Sequence, residues 1–217
     1  MQLADLRVGI ANHEFESRRD ITEAALSVAA AIDRWETDLL RRSSYETKIS
    51  DTISAECYLG IYHVYDSVTA AEVWNNIRNL RILTHEIILD CCSGDPSLSS
   101  EDFSLDLTEQ RNHSIAVIRQ TALQICASIP KLLNAMPGEQ ADTKQRMHPA
   151  SCGLSLMWPL FIICNSTEVE TPLKEWAFGF FRTINSEMGI RQAHLMANTI
   201  LAGTSPFRAY RANDIPS

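Results

Sequence analysis

The sequence predicts an all-α protein, a single-domain bundle of about six to eight amphipathic helices. Apolar residues recur at spacings of three and four over long segments, as they do on one face of a helix. Sustained alternation and the Asn-Gly or Asp-Gly turns of hairpins, which would indicate strands, are nearly absent. A length of 217 residues and a hydrophobic content of 45% suit one domain, 1–217, with a sizeable core.

The first helix is predicted from about Ile21 to Arg42, because its apolar residues fall on one face. Asp20 is the expected N-cap, and Glu23 is its expected capping-box partner. The apolar face is formed by Ile21, Ala25, Val28, Ile32, Trp35 and Leu39.

A second helical region is predicted from near Ile53 to Cys92, with a break near Asp66-Ser67 because one helix of that length is unusual. The sequence Ser93-Gly94-Asp95-Pro96 is expected to end it, since Gly suits the C-cap and Pro cannot continue a helix. Its later half carries the stripe Val73, Ile77, Leu80, Thr84 and Ile87.

The third helix has the most regular stripe in the chain. Pro130 lies inside the pattern and predicts a kink or an early end. The polar segment 136–149, with two prolines and a glycine, is expected to be an exposed loop. The stripe consists of Ile115, Ile118, Ala122, Ile125, Ile129 and Leu132.

Three more helices are predicted towards the C-terminus, at about Ala150–Cys164, Pro172–Met188 and Ile190–Leu201. Gly189 is the expected cap between the last two. The segments 1–20 and 203–217 are candidate flexible ends, because they carry little apolar pattern.

Charge and cysteine spacing exclude several classes of function. The net charge of −8 comes with no clustered basic face, so we expect no nucleic-acid binding by this chain. No CxxC pair occurs, which predicts no zinc site and reduced thiols at Cys57, Cys91, Cys92, Cys126, Cys152 and Cys164. The start of the chain does not resemble a secretory signal, and no apolar run is long enough to span a bilayer. We therefore expect a nuclear or cytoplasmic protein that does not contact membranes.

Catalytic motifs are not found. Gly153-Leu154-Ser155 is only a fragment of a hydrolase elbow, and Ser155 is better interpreted as a small residue in a packed helix. No two histidines have metal-ligand spacing on a helix, and the acidic residues do not form the array of a terpene cyclase. His63, near Tyr58, Tyr62 and Tyr65, suggests a polar pocket, but a hydrogen bond between elements is the favoured role. The sequence thus predicts no enzyme and no catalytic, cofactor-binding or metal-binding residue.

The four tryptophans, Trp35, Trp74, Trp158 and Trp176, lie on or beside apolar stripes, which favours the core over a ligand pocket. Trp158 precedes Pro159, and Trp176 stands one turn before Phe180. Both tryptophans are predicted to be largely buried, so that replacing either with Ala costs about 3–5 kcal/mol.

Three blocks of sequence carry a resemblance to a known family. The first is Tyr62-His63-Val64-Tyr65-Asp66 followed by Trp74-Asn75 and the Arg-containing helix to Ile82. The second is Ile125 to Pro130, and the third is Met157 to Ala193. Together they resemble the fungal-specific transcription factor domain, the C-terminal regulatory region of Zn2Cys6 zinc-cluster transcription factors. The six-cysteine DNA-binding cluster of that family is absent from this sequence.

The resemblance implies a non-catalytic helical domain for transcription regulation, acting through protein partners such as the transcription machinery or a co-regulator. A small-molecule effector is a further partner that the resemblance implies. The alternative is a helical small-molecule-binding or enzymatic protein of a fungal biosynthetic pathway. The sequence leaves the oligomeric state open.

Overall fold

The structure, a computed structural model, describes residues 2–51, 55–92, 101–133 and 149–203, and for 101–106 and 149 it describes the backbone alone. These ranges form seven helices and one small antiparallel sheet, which confirms the predicted all-α class. The helices are α1 Leu3–Ala11, α2 Arg18–Arg42, α3 Val68–Cys92, α4 Glu101–Leu132, α5 Pro149–Asn165, α6 Thr171–Ser186 and α7 Arg191–Leu201. The strands are β1 Tyr45–Ile49 and β2 Ile61–Tyr65, with a short 3-10 turn at Tyr58–Gly60.

Helix α3 occupies the centre because it is apolar on two sides. Helices α2 and α4 both pack against it, and β2 packs mainly against α4. One side of α3 joins a large core cluster shared with α4, α5 and α6, and the other joins a smaller cluster shared with α1 and α2. To the first it contributes Ala71, Trp74, Ile82 and Leu89, and to the second Ile77, Ile88 and Cys91.

Helices α5, α6 and α7 pack against one another, and α5 connects them to α3 and α4. The close approach depends on Gly153 of α5. A Cβ at this position would lie 2.7 Å from Sδ of Met188 and 2.8 Å from Cδ1 of Ile190. Such distances are too short for non-bonded atoms, so the space beside Gly153 is filled by the α6–α7 connection.

The predicted N-cap of α2 was wrong by one turn. The helix begins at Arg18 with Ser17 as its cap, because the Ser17 hydroxyl accepts a hydrogen bond from the backbone N–H of Asp20 at 3.2 Å. Glu23 does not cap the helix. Its carboxylate instead forms an exposed ion pair with Arg19 at 2.9 Å.

The expectation that strands are absent was also wrong, as was the helix predicted from Ile53. Strands β1 and β2 pair antiparallel, with Tyr45 opposite Tyr65 and Ile49 opposite Ile61. Residues 61–65 are aromatic, β-branched or His throughout, so the strand has no polar alternation to reveal it. The predicted break at Asp66-Ser67 is where α3 begins, since the Ser67 hydroxyl accepts a bond from the backbone N–H of Ala70 at 3.0 Å.

The first residues do not form the flexible end expected for 1–20. Helix α1 packs on α2, and Leu3, Leu6 and Ile10 are buried in the smaller core cluster. The apolar face of α1 covers surface of α2 that would otherwise be exposed. This tertiary contact stabilises α1, although its own apolar pattern is too short to be recognised as a helix in the sequence.

The helices predicted at Ala150–Cys164, Pro172–Met188 and Ile190–Leu201 agree with α5, α6 and α7 to within a few residues, whereas α4 begins at Glu101, well before Ile115, the first residue of its predicted stripe. Ile118, Ala122, Ile125, Ile129 and Leu132 are all fully buried, and α4 ends two residues after Pro130. Gly189 has the left-handed φ of +72° that favours glycine after a helix. The predicted stop at 93–96, the loop 136–149 apart from Pro149, and the tail 204–217 lie outside the described residues.

Candidate functional site

A cleft of about 440 Å³ lies over α3, between α2 and α4. We call it the α2–α3–α4 cleft. The lining residues recur at spacings of three and four on each helix, so each helix turns one face to the cleft. They are Leu26, Ala29, Ala30, Asp33 and Glu36 from α2, Arg81 and His85 from α3, and Gln110, His113, Val117, Gln120, Thr121 and Gln124 from α4.

One end of the cleft is charged. The Nη2 atom of Arg81 donates to Oδ1 of Asp33 at 2.7 Å and to Oε2 of Glu36 at 2.5 Å. Burial lowers the pKa of Arg81, but the bonds and charges of Glu36 and Asp33 outweigh that effect and raise it. The guanidinium therefore stays charged and joins α3 to α2 through two carboxylates.

The floor of the cleft contains a buried, neutral histidine. His85 Nδ1 lies 3.1 Å from the Ser114 hydroxyl, and its ring centroid is 5.9 Å from that of His113. Burial lowers the pKa of His85 to about 4, with further lowering by His113 and Arg81 and a small opposing effect of Asp33. At neutral pH His85 is thus an uncharged hydrogen-bonding group.

The remaining polar atoms come from α4. Thr121 is buried, whereas Gln120 and His113 lie at the exposed rim. The Gln124 side-chain carbonyl, Oε1, is buried and has no hydrogen-bond partner in the structure. An unsatisfied buried acceptor costs about 1–3 kcal/mol, so Gln124 is suited to accept a bond from a bound molecule.

A second group of polar side chains, the Arg78 cluster, is enclosed in the core and consists of Tyr45, His63, Tyr65, Asn75, Arg78 and Ser128. Nη1 of Arg78 donates to the Tyr65 hydroxyl at 2.6 Å and to Asn75 Oδ1 at 3.0 Å. Its Nη2 lies 3.4 Å from His63 Nδ1. Asn75 Nδ2 in turn donates to the Ser128 hydroxyl at 2.8 Å, which ties α3 to α4.

The Arg78 charge is fully buried and has no carboxylate partner among the described residues. Its Nε has no hydrogen-bond partner there either. The rings of Tyr45, Trp74 and Tyr65 lie 5.0, 5.5 and 5.8 Å from its Cζ, so aromatic faces stabilise the cation in place of an acid.

Burial and the nearby Arg78 cation lower the pKa of His63 to about 3, and burial raises that of Tyr65 to about 12 despite the opposing effect of Arg78. Both groups are therefore neutral at physiological pH. The Tyr65 hydroxyl lies 3.0 Å from His63 Nδ1 and accepts from Arg78, which leaves its own proton for the imidazole. Apart from Tyr45, which is partly exposed, the cluster is buried, and it joins β2, α3 and α4.

The polar pocket expected around His63 from Tyr58, Tyr62 and Tyr65 is thus formed by a different set of residues. Tyr65 belongs to it, but Tyr62 points to the opposite face of β2 and packs with Cys57 and Val64. Tyr58 instead contacts Trp176, with ring centroids 5.2 Å apart. Tyr45 belongs to the pocket in place of Tyr58 and Tyr62. The sequence did not indicate this residue, because strand β1 was not predicted.

The four tryptophans do not share one environment. Trp74 is fully buried as predicted, and its indole N–H donates to the backbone carbonyl of Ser43 at 3.0 Å. Trp176 is largely covered and packs against the main core cluster as predicted, whereas Trp158 and Trp35 are exposed, so the predicted burial of these two was wrong. Each occupies a helix position next to an apolar stripe, and only the packing of the neighbouring helices decides whether such a position is covered.

Metal ligands are not assembled in the described ranges, and the thiols of Cys91 and Cys164 are held in the protonated form. No group of three or more His, Cys, Asp or Glu side chains there is placed to hold a metal ion. Burial raises the pKa of Cys91 to about 11 and of Cys164 to about 12, which keeps both thiols protonated. Ser155 bonds to the carboxylate of Glu72 and to the backbone carbonyl of Ser151, as suits a residue in a packed helix.

Sequence reasoning missed the α2–α3–α4 cleft. A signal was present, since Gln110, His113, Gln120 and Gln124 repeat at helical spacing beside the apolar stripe of α4. The same pattern is typical of a solvated face, and only the position of α2 makes it one wall of a cleft.

Two further observations concern the chain as a whole. In the part of the chain that the structure describes, no helix combines the length and the apolar character that a membrane crossing requires. Comparisons with known proteins found no matching family, no similar curated protein and no similar solved structure.

Proposed function

We propose that this chain is a non-catalytic regulatory domain that senses a small polar molecule in the α2–α3–α4 cleft. The observation that carries the proposal is the convergence of hydrogen-bonding side chains from three helices, with the buried carbonyl of Gln124 left without a partner. Concave sites with a few converging polar groups and shifted pKa values are the usual form of ligand sites.

The cleft favours a neutral or cationic ligand that carries N–H or O–H donors. Gln124 Oε1 needs a donor, and the positive charge of Arg81 is already matched by Asp33 and Glu36. One positive and two negative charges leave the charged end with an excess of one carboxylate. An anionic ligand would meet that carboxylate without a free cation to compensate it.

Binding is favoured over catalysis by the state of the groups present. Ser114 and His85 are within hydrogen-bond distance, as in a nucleophile–base pair, but Ser114 is fully buried and cannot reach a substrate. A pKa of about 4 also makes His85 a weak base at neutral pH. An enzyme of a biosynthetic pathway remains the alternative, and it requires turnover of the bound molecule.

The regulatory part of the proposal rests on the resemblance to the fungal-specific transcription factor domain. Its first two blocks meet in the Arg78 cluster, where Asn75 of the first bonds to Ser128 of the second. We propose that the domain acts in the nucleus or cytoplasm and transmits ligand binding to a protein partner. Helix α3 lines the cleft and also carries Arg78, so it is the element that would transmit the change.

The test begins with native mass spectrometry of the full chain purified from its natural source, to detect a stoichiometric organic ligand. Candidate amines, amides and polyols are then screened by thermal unfolding, because a ligand that binds only the folded state raises Tm. Gln124→Met should remove most of the ligand-dependent rise. It should not lower the Tm of the free protein, since it removes an unsatisfied acceptor and keeps a similar volume.

Gln192→Met on the exposed surface of α7 is the matched control and should keep the full ligand response. Turnover of the ligand by the parent would favour the enzymatic alternative. If no small molecule is retained and none raises Tm, the sensing proposal is wrong. The regulatory output is tested by fusing the chain to a heterologous DNA-binding domain, and a reporter that does not respond to the identified ligand would contradict it.

A further inference from the structure

The outer edge of strand β1 is suited to pair with another strand. The small sheet has the order β1-β2, and β2 is covered by α4. In the described residues no strand pairs with the other edge of β1, and Glu46, Thr47, Lys48 and Ile49 are all exposed. An exposed edge presents a row of backbone donors and acceptors to any chain that can align with it.

The register of the hairpin shows which backbone groups face outwards. The backbone N–H of Ser50 donates to the carbonyl of Gly60 at 2.8 Å, in the same register that sets Ile49 opposite Ile61. Hydrogen-bonded pairs alternate along an antiparallel ladder. Glu46 and Lys48 therefore bond to β2, whereas the N–H and C=O groups of Tyr45, Thr47 and Ile49 point to the free edge.

We propose that two copies of this chain dimerise by antiparallel pairing of their β1 strands about Thr47, which forms a four-stranded sheet. Centred there, Tyr45 lies opposite Ile49 of the second copy and Thr47 opposite its own equivalent. Every outward backbone group of one strand then meets an outward group of the other. The pairing needs no rearrangement of β1 and β2.

Charge selects both this register and a second copy as the partner. Glu46 and Lys48 lie on one face, 3.5 Å apart between Oε2 and Nζ. In the pairing about Thr47, Glu46 of each copy lies opposite Lys48 of the other. Sliding the strands by one hydrogen-bonded step sets Glu46 opposite Glu46, or Lys48 opposite Lys48, and like charges directly opposite are destabilising. The sequence of β1 is thus complementary to itself.

An exposed apolar side chain at the end of β1 adds contact area. Ile49 is 76% exposed. In the dimer Ile49 lies beside the backbone of Tyr45 of the second copy. The ring of Tyr45 packs against Trp74 of its own chain, with ring centroids 4.9 Å apart. Covering Ile49 removes exposed apolar surface that the monomer leaves in water.

The experiment measures the mass of the full chain in solution by sedimentation equilibrium over a range of concentrations. The parent is expected to be dimeric at the higher concentrations. Thr47→Pro should be monomeric throughout, because it removes an outward N–H from the centre of the pairing. It should remain folded by circular dichroism, since that N–H makes no bond to β2.

Charge exchange distinguishes this interface from any other. Glu46→Lys and Lys48→Glu set like charges opposite each other, so each variant alone should be monomeric. Mixed in equal amounts, they should form a heterodimer, because every cross-strand pair is then of opposite charge. Arg191→Glu, a charge reversal at an exposed site on α7, should leave the parent dimer unchanged.

The proposal is overturned if the parent is monomeric at all concentrations. This holds even if the β1 edge is found to bind an unrelated extended peptide, because the proposed partner is a second copy of the chain. A dimer that persists in Thr47→Pro and in the two charge variants also overturns the proposal, because the contact would then lie on another surface. Failure of the two charge variants to associate when mixed would overturn the antiparallel register.

Discussion

At the scale of single residues, the extent of burial determines how much each large side chain contributes to the stability of the fold. Trp74 is 0% exposed and lies in the main core cluster, whereas Trp35 is 63% exposed on α2. Trp158 is 46% exposed and stacks on Phe161 with ring centroids 5.9 Å apart. The same residue type therefore has a large effect on stability at one position and a small one at another.

We predict that Trp74→Ala lowers the free energy of unfolding by about 3–5 kcal/mol, the usual cost of emptying a buried aromatic site. The change also leaves the Ser43 carbonyl without its donor. Trp35→Ala, as the control, should stay within about 0.5 kcal/mol of the parent. Urea denaturation of the variants measures both values, and equal midpoints for Trp74→Ala and Trp35→Ala would contradict the assigned packing.

Two buried histidines give the fold a dependence on pH. Burial, with Arg78, lowers the pKa of His63 to about 3, and burial, with His113 and Arg81, lowers that of His85 to about 4. An unfolded histidine binds a proton below about pH 6.5. Between these values the unfolded state holds more protons, so stability is complete above pH 6.5 and is lost as pH falls towards 4 and 3.

We predict that the free energy of unfolding decreases between pH 7 and pH 5 by roughly 1–2 kcal/mol for each of the two histidines. Unfolded carboxyl groups titrate mainly below this interval, with pKa values of about 3.9 for Asp and about 4.3 for Glu, so we expect the histidines to dominate the change. Urea denaturation at pH 7, 6 and 5 measures it. His63→Gln and His85→Gln should each reduce the decrease, and a double variant that loses as much stability as the parent would assign the effect to other groups.

At the scale of elements, helix contacts depend on small residues where two helices meet closely. Gly153 of α5 faces Met188, Ile190 and Ile184 at distances that leave no room for a methyl group. Gly179 of α6 is exposed, and a Cβ added there would meet no atom within 4 Å. The two helical glycines are thus a matched pair, because a larger side chain has no room at Gly153 and free space at Gly179.

We predict that Gly153→Ala destabilises the protein by about 1–3 kcal/mol, because the added methyl group forces α5 away from the α6–α7 connection. Gly179→Ala should stabilise it by about 0.5–1 kcal/mol, since it only improves helix propensity. Thermal and urea unfolding of both variants provide the comparison. Destabilisation by Gly179→Ala, or none by Gly153→Ala, would show that the helices pack differently.

At the scale of the whole molecule, the net charge bears on whether the chain can contact nucleic acid. The chain carries a net charge of −8. Of its cationic side chains, Arg78 is buried, and Arg81 is engaged by two carboxylates. Electrostatic attraction to phosphate supplies most of the affinity of DNA-binding proteins, and a negative net charge works against it.

We predict that the chain alone shows no sequence-specific DNA binding at physiological salt. A mobility-shift assay with mixed-sequence duplexes, repeated at several salt concentrations, measures this. A zinc-cluster DNA-binding module serves as the positive control. A salt-dependent, sequence-selective shift caused by this chain would overturn the prediction.

The sequence by itself determined the helical class, the positions of α2, α5, α6 and α7 to within a few residues, and the buried stripe of α4, although not where α4 begins. It did so because long amphipathic helices repeat their apolar face, as the buried stripe from Ile118 to Leu132 on α4 illustrates. Only the tertiary structure decided the hairpin, since the aromatic and β-branched residues of 61–65 fit a strand or a buried helix equally well.

The functional features also depended on tertiary packing. His85 and His113 are far apart in sequence and form one site only because α3 and α4 lie side by side. Arg78 stands in a helical pattern that is typical of an exposed residue, yet rings from β1, β2 and α3 enclose it. A local pattern records which face of one element is apolar, whereas a cleft, a buried charge or a free strand edge is created by how several elements come together.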